Sequence, residues 1–282
     1  MAYALFTIYR MPFLSLLVVR MLFSGFLLFL AFRPSLPRGN TGLLLLFSVS
    51  LLAVQLTYLG AIKYSSAPTA TMLQYLMFPM VVIFELAVRR IQSHAVLLVT
   101  VALALAGIFE LSTNFPVRGL GLAINPLGLI LGVLSALSAA VYTLLSGPVI
   151  RKFGATKCLT WSMMVGGLLA LPVSLMPSLS FFGSLATVSV APVVLLIAFV
   201  TLAGTLVPFT LYVKSMESMS ATRASLAATM EPLSAALSSL LLLGVVLSPL
   251  QYAGGAMIVS AVVLMQLSGM AENRPPVRRV PD

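Results

Sequence analysis

The chain has 282 residues, of which 60% are hydrophobic and 8% charged, with a mean hydropathy of +1.12. A water-soluble domain needs roughly a quarter of its residues charged, so the composition excludes one and describes a polytopic membrane protein. The net charge of +10 comes from sixteen basic residues scattered between apolar runs, which reads as membrane topology rather than nucleic-acid binding, and the single cysteine, Cys158, excludes an internal disulfide.

A membrane helix needs about 20 apolar residues to cross a hydrocarbon core of about 30 Å. Met1 to Tyr9 is apolar but under half that length and lacks the basic start of a signal peptide, so either the first helix is truncated, as a five-helix repeat favours, or the chain has nine crossings with its start outside. Charges, prolines and glycines then bound predicted helices at 12–32, 42–62, 66–88, 95–115, 126–150, 158–177, 191–213, 223–247 and 250–269. Pro177 and the Ser-rich run to Ser189 are expected to form the turn between the sixth and seventh of these. Twelve basic residues fall on one side: Arg33, Arg38, Arg89, Arg90, Arg151, Lys152, Lys157, Lys214, Arg223, Arg274, Arg278 and Arg279. Only Arg10, Lys63 and Arg118 fall on the other, which puts the first group and the carboxy terminus in the cytoplasm. The expected location is the inner or plasma membrane.

Shifting the chain by 153 residues lays Val54–Pro79 over Val207–Pro232, with identities at Val54/Val207, Thr57/Thr210, Ser65/Ser218, Thr69/Thr222, Leu73/Leu226, Met77/Met230 and Pro79/Pro232. The loop at Lys63 is external by the charge count and its counterpart at Lys214–Arg223 is internal, so equivalent helices run in opposite directions. Inverted repeats of this kind organise many secondary transporters, with the substrate site near the midplane between them. The expected organisation is a first repeat at 1–117, an external linker at 118–125, a second repeat at 126–270 and a cytoplasmic tail at 271–282. The fold class is all-α.

The segment from Leu59 through Tyr64, Ser65, Ser66, Ala67, Pro68 and Thr69 to Tyr75 and Pro79 forms one signature with Ser220–Pro232 as its counterpart. Together with Arg20 after Pro12, Gly128–Tyr142 and Ser248–Gly255, these residues resemble the EamA family of the drug/metabolite transporter superfamily. The resemblance covers most of the chain from about residue 10 and implies ten helices in two inverted five-helix repeats, transport activity and no cofactor. Two departures stand out: Gly244-Val245-Val246 replaces the Gly-Glu that family members carry before the last helix, and the first helix is incomplete.

Glu231 lies inside the otherwise charge-free run Ala224–Leu247, where a carboxylate is costly, and Pro232 follows it at once. The acid reads as a proton-titrating or amine-binding group or, equally in kind, as a hydrogen-bonded structural one. Thr71, Gln74, Tyr75 and Phe78 have i, i+3, i+4, i+7 spacing and are expected to share one polar and aromatic helix face. Pro79 and Pro232 each leave the carbonyl four residues earlier, of Tyr75 and Ala228, without its usual donor, so these carbonyls are expected to face a substrate or cation. Arg20 is a candidate partner for Glu231 or for a substrate carboxylate, and also a candidate for snorkelling to the external interface. Gln55, Tyr58, Tyr142 and Trp161 are candidate lining residues, against packing or anchoring roles. Glu85, Glu110 and Glu217 are expected at solvated helix ends, and Gly128 with Gly132 at a close helix contact.

These residues point to a secondary transporter: an exporter of small metabolites or amino acids that works by alternating access, with a small-molecule substrate, lipid around it and proton coupling through Glu231. They imply no metal. An intramembrane protease or prenyl transferase needs several aspartates and only Asp282 is present, while a serine or metal hydrolase needs more than the one histidine, His94. A receptor or assembly subunit without transport is the remaining alternative.

Overall fold

A computed structural model of the chain describes residues 5–6, 8–37, 39, 41–65, 67–89, 95–113, 125–184, 190–231, 233–234 and 248–267. Among the described residues every regular element is helical: α1 Phe13–Phe32, α2 Thr41–Tyr64, α3 Ala67–Gln74, α4 Met77–Arg89, α5 Ala95–Thr113, α6 Pro126–Phe153, α7 Ala155–Ser184, α8 Val190–Thr201, a π-turn Leu202–Leu206, α9 Val207–Ser215, α10 Ala221–Ala228 and α11 Pro249–Leu267. Six stretches are long and apolar enough to cross a membrane, namely Phe13–Phe32, Thr41–Tyr64, Thr69–Val88, Pro126–Phe153, Ala155–Phe181 and Ala191–Ser215. Shorter apolar helices lie at Ala95–Glu110 and Pro249–Leu264.

Lipid offers no hydrogen-bonding partner, so hydroxyls inside these helices turn back on their own backbone. Ser48 donates to the Leu44 carbonyl at 2.8 Å, Thr57 to Ala53 at 2.6 Å and Thr210 to Leu206 at 2.6 Å. Helix α1 starts after the extended Pro12 and ends at Arg33, whose left-handed backbone lets its N–H reach the Phe29 carbonyl. The turn expected over Pro177–Ser189 does not begin at Pro177, and residues 185–189 lie outside the described residues. Helix α7 runs through Pro172 and Pro177 to Ser184, and Ser174 and Ser180 donate to the carbonyls of Leu171 and Met176 around those prolines.

Packing follows the small residues. Helix α6 lies along α2 and α3, and a side chain at Gly128 would sit 2.8 Å from the Tyr64 carbonyl oxygen, so the expected Gly-xxx-Gly contact is present. Helices α5 and α11 meet as closely, with Gly107 facing the Gly254 carbonyl. Helix α1 packs on α7, and α4 on α10. The buried core runs between α1, α2, α6 and α7 through Leu17, Met21, Phe47, Leu51, Leu159 and Met163. Outward faces carry large exposed apolar residues such as Phe26, Leu30, Leu195 and Phe199, the surface expected of a chain solvated by lipid.

Candidate functional site

The polar residues expected to form a site are joined at a break in the third predicted span. Pro79 has no N–H for the Tyr75 carbonyl, and the helix parts at Tyr75–Leu76, between α3 and α4. The Tyr75 carbonyl is not left open: the Phe78 N–H bonds to it at 3.0 Å, tightening the turn. This corrects the expectation of a free carbonyl at that position. It also splits the expected face, because Phe78 now begins a separate helix. Its ring is fully buried against Val82, Leu97, Ala104, Leu226 and Ala261, so it packs α4 against its neighbours.

Tyr75 is the centre of what remains. Its ring is buried against Ile108 and Ile258, and its hydroxyl lies 3.1 Å from the Ala228 carbonyl oxygen and 3.1 Å from Glu231 Oε2. The Ala228 carbonyl is the one that Pro232 cannot serve. Pro232 itself lies outside the described residues, but the freed acceptor four residues before it is taken by a side chain from the other half of the chain. The Glu231 side chain is itself exposed at the surface of the described residues. On the same side chain cluster, the Tyr58 hydroxyl pairs with Thr71 Oγ1 at 2.9 Å and Gln74 Nε2 donates to Ser135 at 3.0 Å, tying α2 to α3 and α3 to α6. Gln55, 2% exposed, has no hydrogen-bond partner for its Nε2 among the described residues.

Arg20 neither snorkels nor pairs with Glu231 in this structure. It is 5% exposed, its Nε donates to Thr205 Oγ1 at 2.6 Å and its Nη2 to the Gly204 carbonyl at 3.2 Å. The reason is again a proline: Pro208 cannot donate to Gly204, the backbone opens into the π-turn Leu202–Leu206, and the guanidinium fills the gap. Gly204 and Thr205 were absent from the candidate residues, although the same four-residue offset from a proline that marks Ala228 marks Gly204. A buried cation whose described partners are neutral is costly in a membrane protein, and an anionic group brought alongside it lowers that cost.

Tyr142 and Trp161 stand apart from this cluster. Tyr142 is buried, stacked on Phe47 with centroids 4.7 Å apart and edge-on to Phe209. Its hydroxyl is without a partner among the described residues, so a polar group could still meet it. Trp161 donates to the Ser35 carbonyl at 3.2 Å and packs edge-on against Phe29, which makes it an anchor at the end of α1 instead of a lining residue. Glu85 also differs from expectation. It is 2% exposed and accepts a hydrogen bond from the Thr222 hydroxyl, so it is a buried helix-to-helix contact and not a solvated end. Glu217 is exposed and accepts from the Ala155 N–H at the start of α7.

With this geometry in place, residues 126–267 match the model of the EamA-like transporter family. The uncharacterized inner membrane transporter YicL of Salmonella typhimurium is 32% identical over 94% of this chain and 89% of its own. An uncharacterized transporter of Archaeoglobus fulgidus is 29% identical over 86% of this chain and 83% of its own. A crystal structure of a protein 15% identical superposes over 95% of this chain and 93% of its own with a TM-score of 0.73, a likeness of fold alone.

Proposed function

The chain belongs to the EamA-like transporter family, and from that premise we propose that it is a secondary transporter, an exporter of small metabolites or amino acids working by alternating access around a site at Tyr75 and Glu231. The observation that carries the reading is the position of the Tyr75 hydroxyl, 3.1 Å from both the Ala228 carbonyl and Glu231. Under the 153-residue shift Tyr75 and Ala228 are equivalent positions. Equivalent residues of an inverted repeat touch each other only near the axis that relates the two copies, where such carriers bind their substrate. The pairing of α1 with α7 and of α5 with α11 supports the same organisation, since each pair is equivalent under that shift.

The proposed coupling follows from counting hydrogens. A tyrosine hydroxyl has one to donate and here has two acceptors. With Glu231 ionised, the charge-assisted bond to the carboxylate is the stronger, and the Ala228 carbonyl is released to a substrate ammonium or to water. With Glu231 protonated, its own O–H donates to Tyr75 Oη and the tyrosine hydrogen returns to Ala228. Proton uptake and substrate binding thus compete for one group. Arg20, buried with neutral described partners, is the proposed partner of a substrate carboxylate. Gln55, Tyr58, Thr71 and Gln74 line the same cluster, and Tyr142 and Phe78 support it by packing.

The test is export. Cells expressing the chain are challenged with a panel of toxic amino-acid analogues, and protection that Glu231→Gln weakens supports the proposal. Equal sensitivity with and without expression across the panel, for protein that reaches the membrane, overturns it in favour of a receptor or assembly role.

A further inference from the structure

Helices α4 and α10 cross as an antiparallel pair, and their contacts fall in a fixed order. Tyr75, just before α4, meets Ala228 and Glu231. Next comes an apolar layer in which Phe78 and Val82 pack with Leu226. Last, Thr222 donates to Glu85 Oε2, at 6% and 2% exposure. Beyond this contact lie Arg89 at the end of α4 and Lys214 before the start of α10, with Arg223 beside Thr222, basic ends that by the charge count belong on the cytoplasmic side. At 1.5 Å per helical residue, Glu85 lies about 15 Å from Tyr75 along its helix. The contact lies between the site and the basic ends of the two helices.

We propose that Glu85 and Thr222 are the cytoplasmic gate of this carrier: their contact holds the two halves of the chain together below the site and parts each time the site opens to the cytoplasm. The proposal rests on the transport reading above. A joint made only of leucine and phenylalanine faces water at a high cost when it opens. A carboxylate and a hydroxyl exchange their mutual bond for bonds to water, so the closed form is favoured only modestly over the open one. That is the property a reversible gate needs. The carboxyl is otherwise expensive at this depth, and no apolar packing role explains it. Glu85 and Thr222 are positioning residues in this scheme, since neither touches the site.

The experiment reads access and needs no substrate. Cys158 is replaced by alanine, and Ser225, fully buried one turn inward of Thr222, is replaced by cysteine as a reporter. A membrane-impermeant charged maleimide is applied to inside-out and right-side-out vesicles in turn. Thr222→Val and Glu85→Ala are expected to raise labelling from the cytoplasmic face several-fold, up to about tenfold, the population shift that one lost hydrogen bond allows. Thr222→Ser and Glu85→Gln keep a donor and an acceptor and are expected to label like the parent. Thermal melting of each variant in detergent separates opening from unfolding, and Thr222→Ala carries the same expectation should Thr222→Val not fold. Unchanged labelling in folded Thr222→Val, or a rise confined to the external face, overturns the gate. A chain that opens in this assay but exports nothing leaves the gate standing and removes only the transport reading.

Discussion

Replacing Tyr75 with phenylalanine deletes one hydroxyl and leaves the ring, which is 4% exposed against Ile108 and Ile258, in place. Two acceptors lose their donor, the Ala228 carbonyl and Glu231 Oε2. A hydrogen bond contributes about 0.5–1.5 kcal/mol net, and about 1.5–3 kcal/mol when one partner is charged. Glu231 is exposed and can be rehydrated, so the lower range applies, and a loss of about 1 kcal/mol corresponds to a melting point lower by about 2–4 °C for a chain of this size. Stability alone does not test the mechanism, and the decisive measurement is a double-mutant cycle with Glu231→Gln. If one hydroxyl serves both acceptors, the two substitutions are coupled by about 0.5–1.5 kcal/mol in melting and in export rate. Additive effects within about 0.3 kcal/mol would mean that Tyr75 and Glu231 act separately, and the hydrogen-counting scheme would be wrong.

Glu231→Gln should keep the Tyr75 contact yet flatten the pH dependence of export in vesicles with an imposed proton gradient; an unaltered profile removes the proton from the scheme. Arg20→Lys loses the paired bonds to Thr205 and Gly204 and should weaken substrate binding about tenfold, whereas Thr205→Val should cost less because Gly204 still accepts. Equal effects of the two would show that the guanidinium is held for structure only. Gly107→Val places a side chain against the Gly254 carbonyl and should destabilise by about 1–3 kcal/mol, read as reduced yield of folded protein and a lower melting point. An unchanged melting point there would refute the close packing of α5 on α11.

The helices were legible because a run of about 20 apolar residues has one common use in a chain this hydrophobic, and the small residues at Gly128 and Gly132 announced where α6 approaches α2. The contact between Glu231 and Tyr75 joins two residues that a charge inside an apolar run and a repeat offset had singled out. What failed was partner choice. The rule that proline frees a carbonyl located Tyr75 and Ala228, but whether a turn or a distant side chain fills the vacancy depends on the fold. Phe78 N–H answers at one and Tyr75 Oη at the other. Glu85 was misplaced for a related reason: its distance in sequence from Arg89 suggested solvent, whereas Thr222, 137 residues away, supplies the donor that makes burial tolerable. Trp161 and Phe78 have the composition of a binding site and the surroundings of an anchor and a core.

The five residues Leu202–Leu206 contain one more than an α-helix of that height accommodates. Each residue of an α-helix advances the azimuth by about 100°, and the π-turn absorbs its surplus residue locally, so excising one of them would restore regular α-helical bonding and leave the direction of everything downstream nearly unchanged. Tyr212, now 2.8 Å from Thr143, would keep its neighbour, whereas the Gly204 carbonyl and Thr205 hydroxyl that cradle Arg20 would lose their present placement. A single codon therefore separates this chain from a relative with a straight rod and an unaccompanied guanidinium, a small step by which descendants could gain or discard the pocket wholesale.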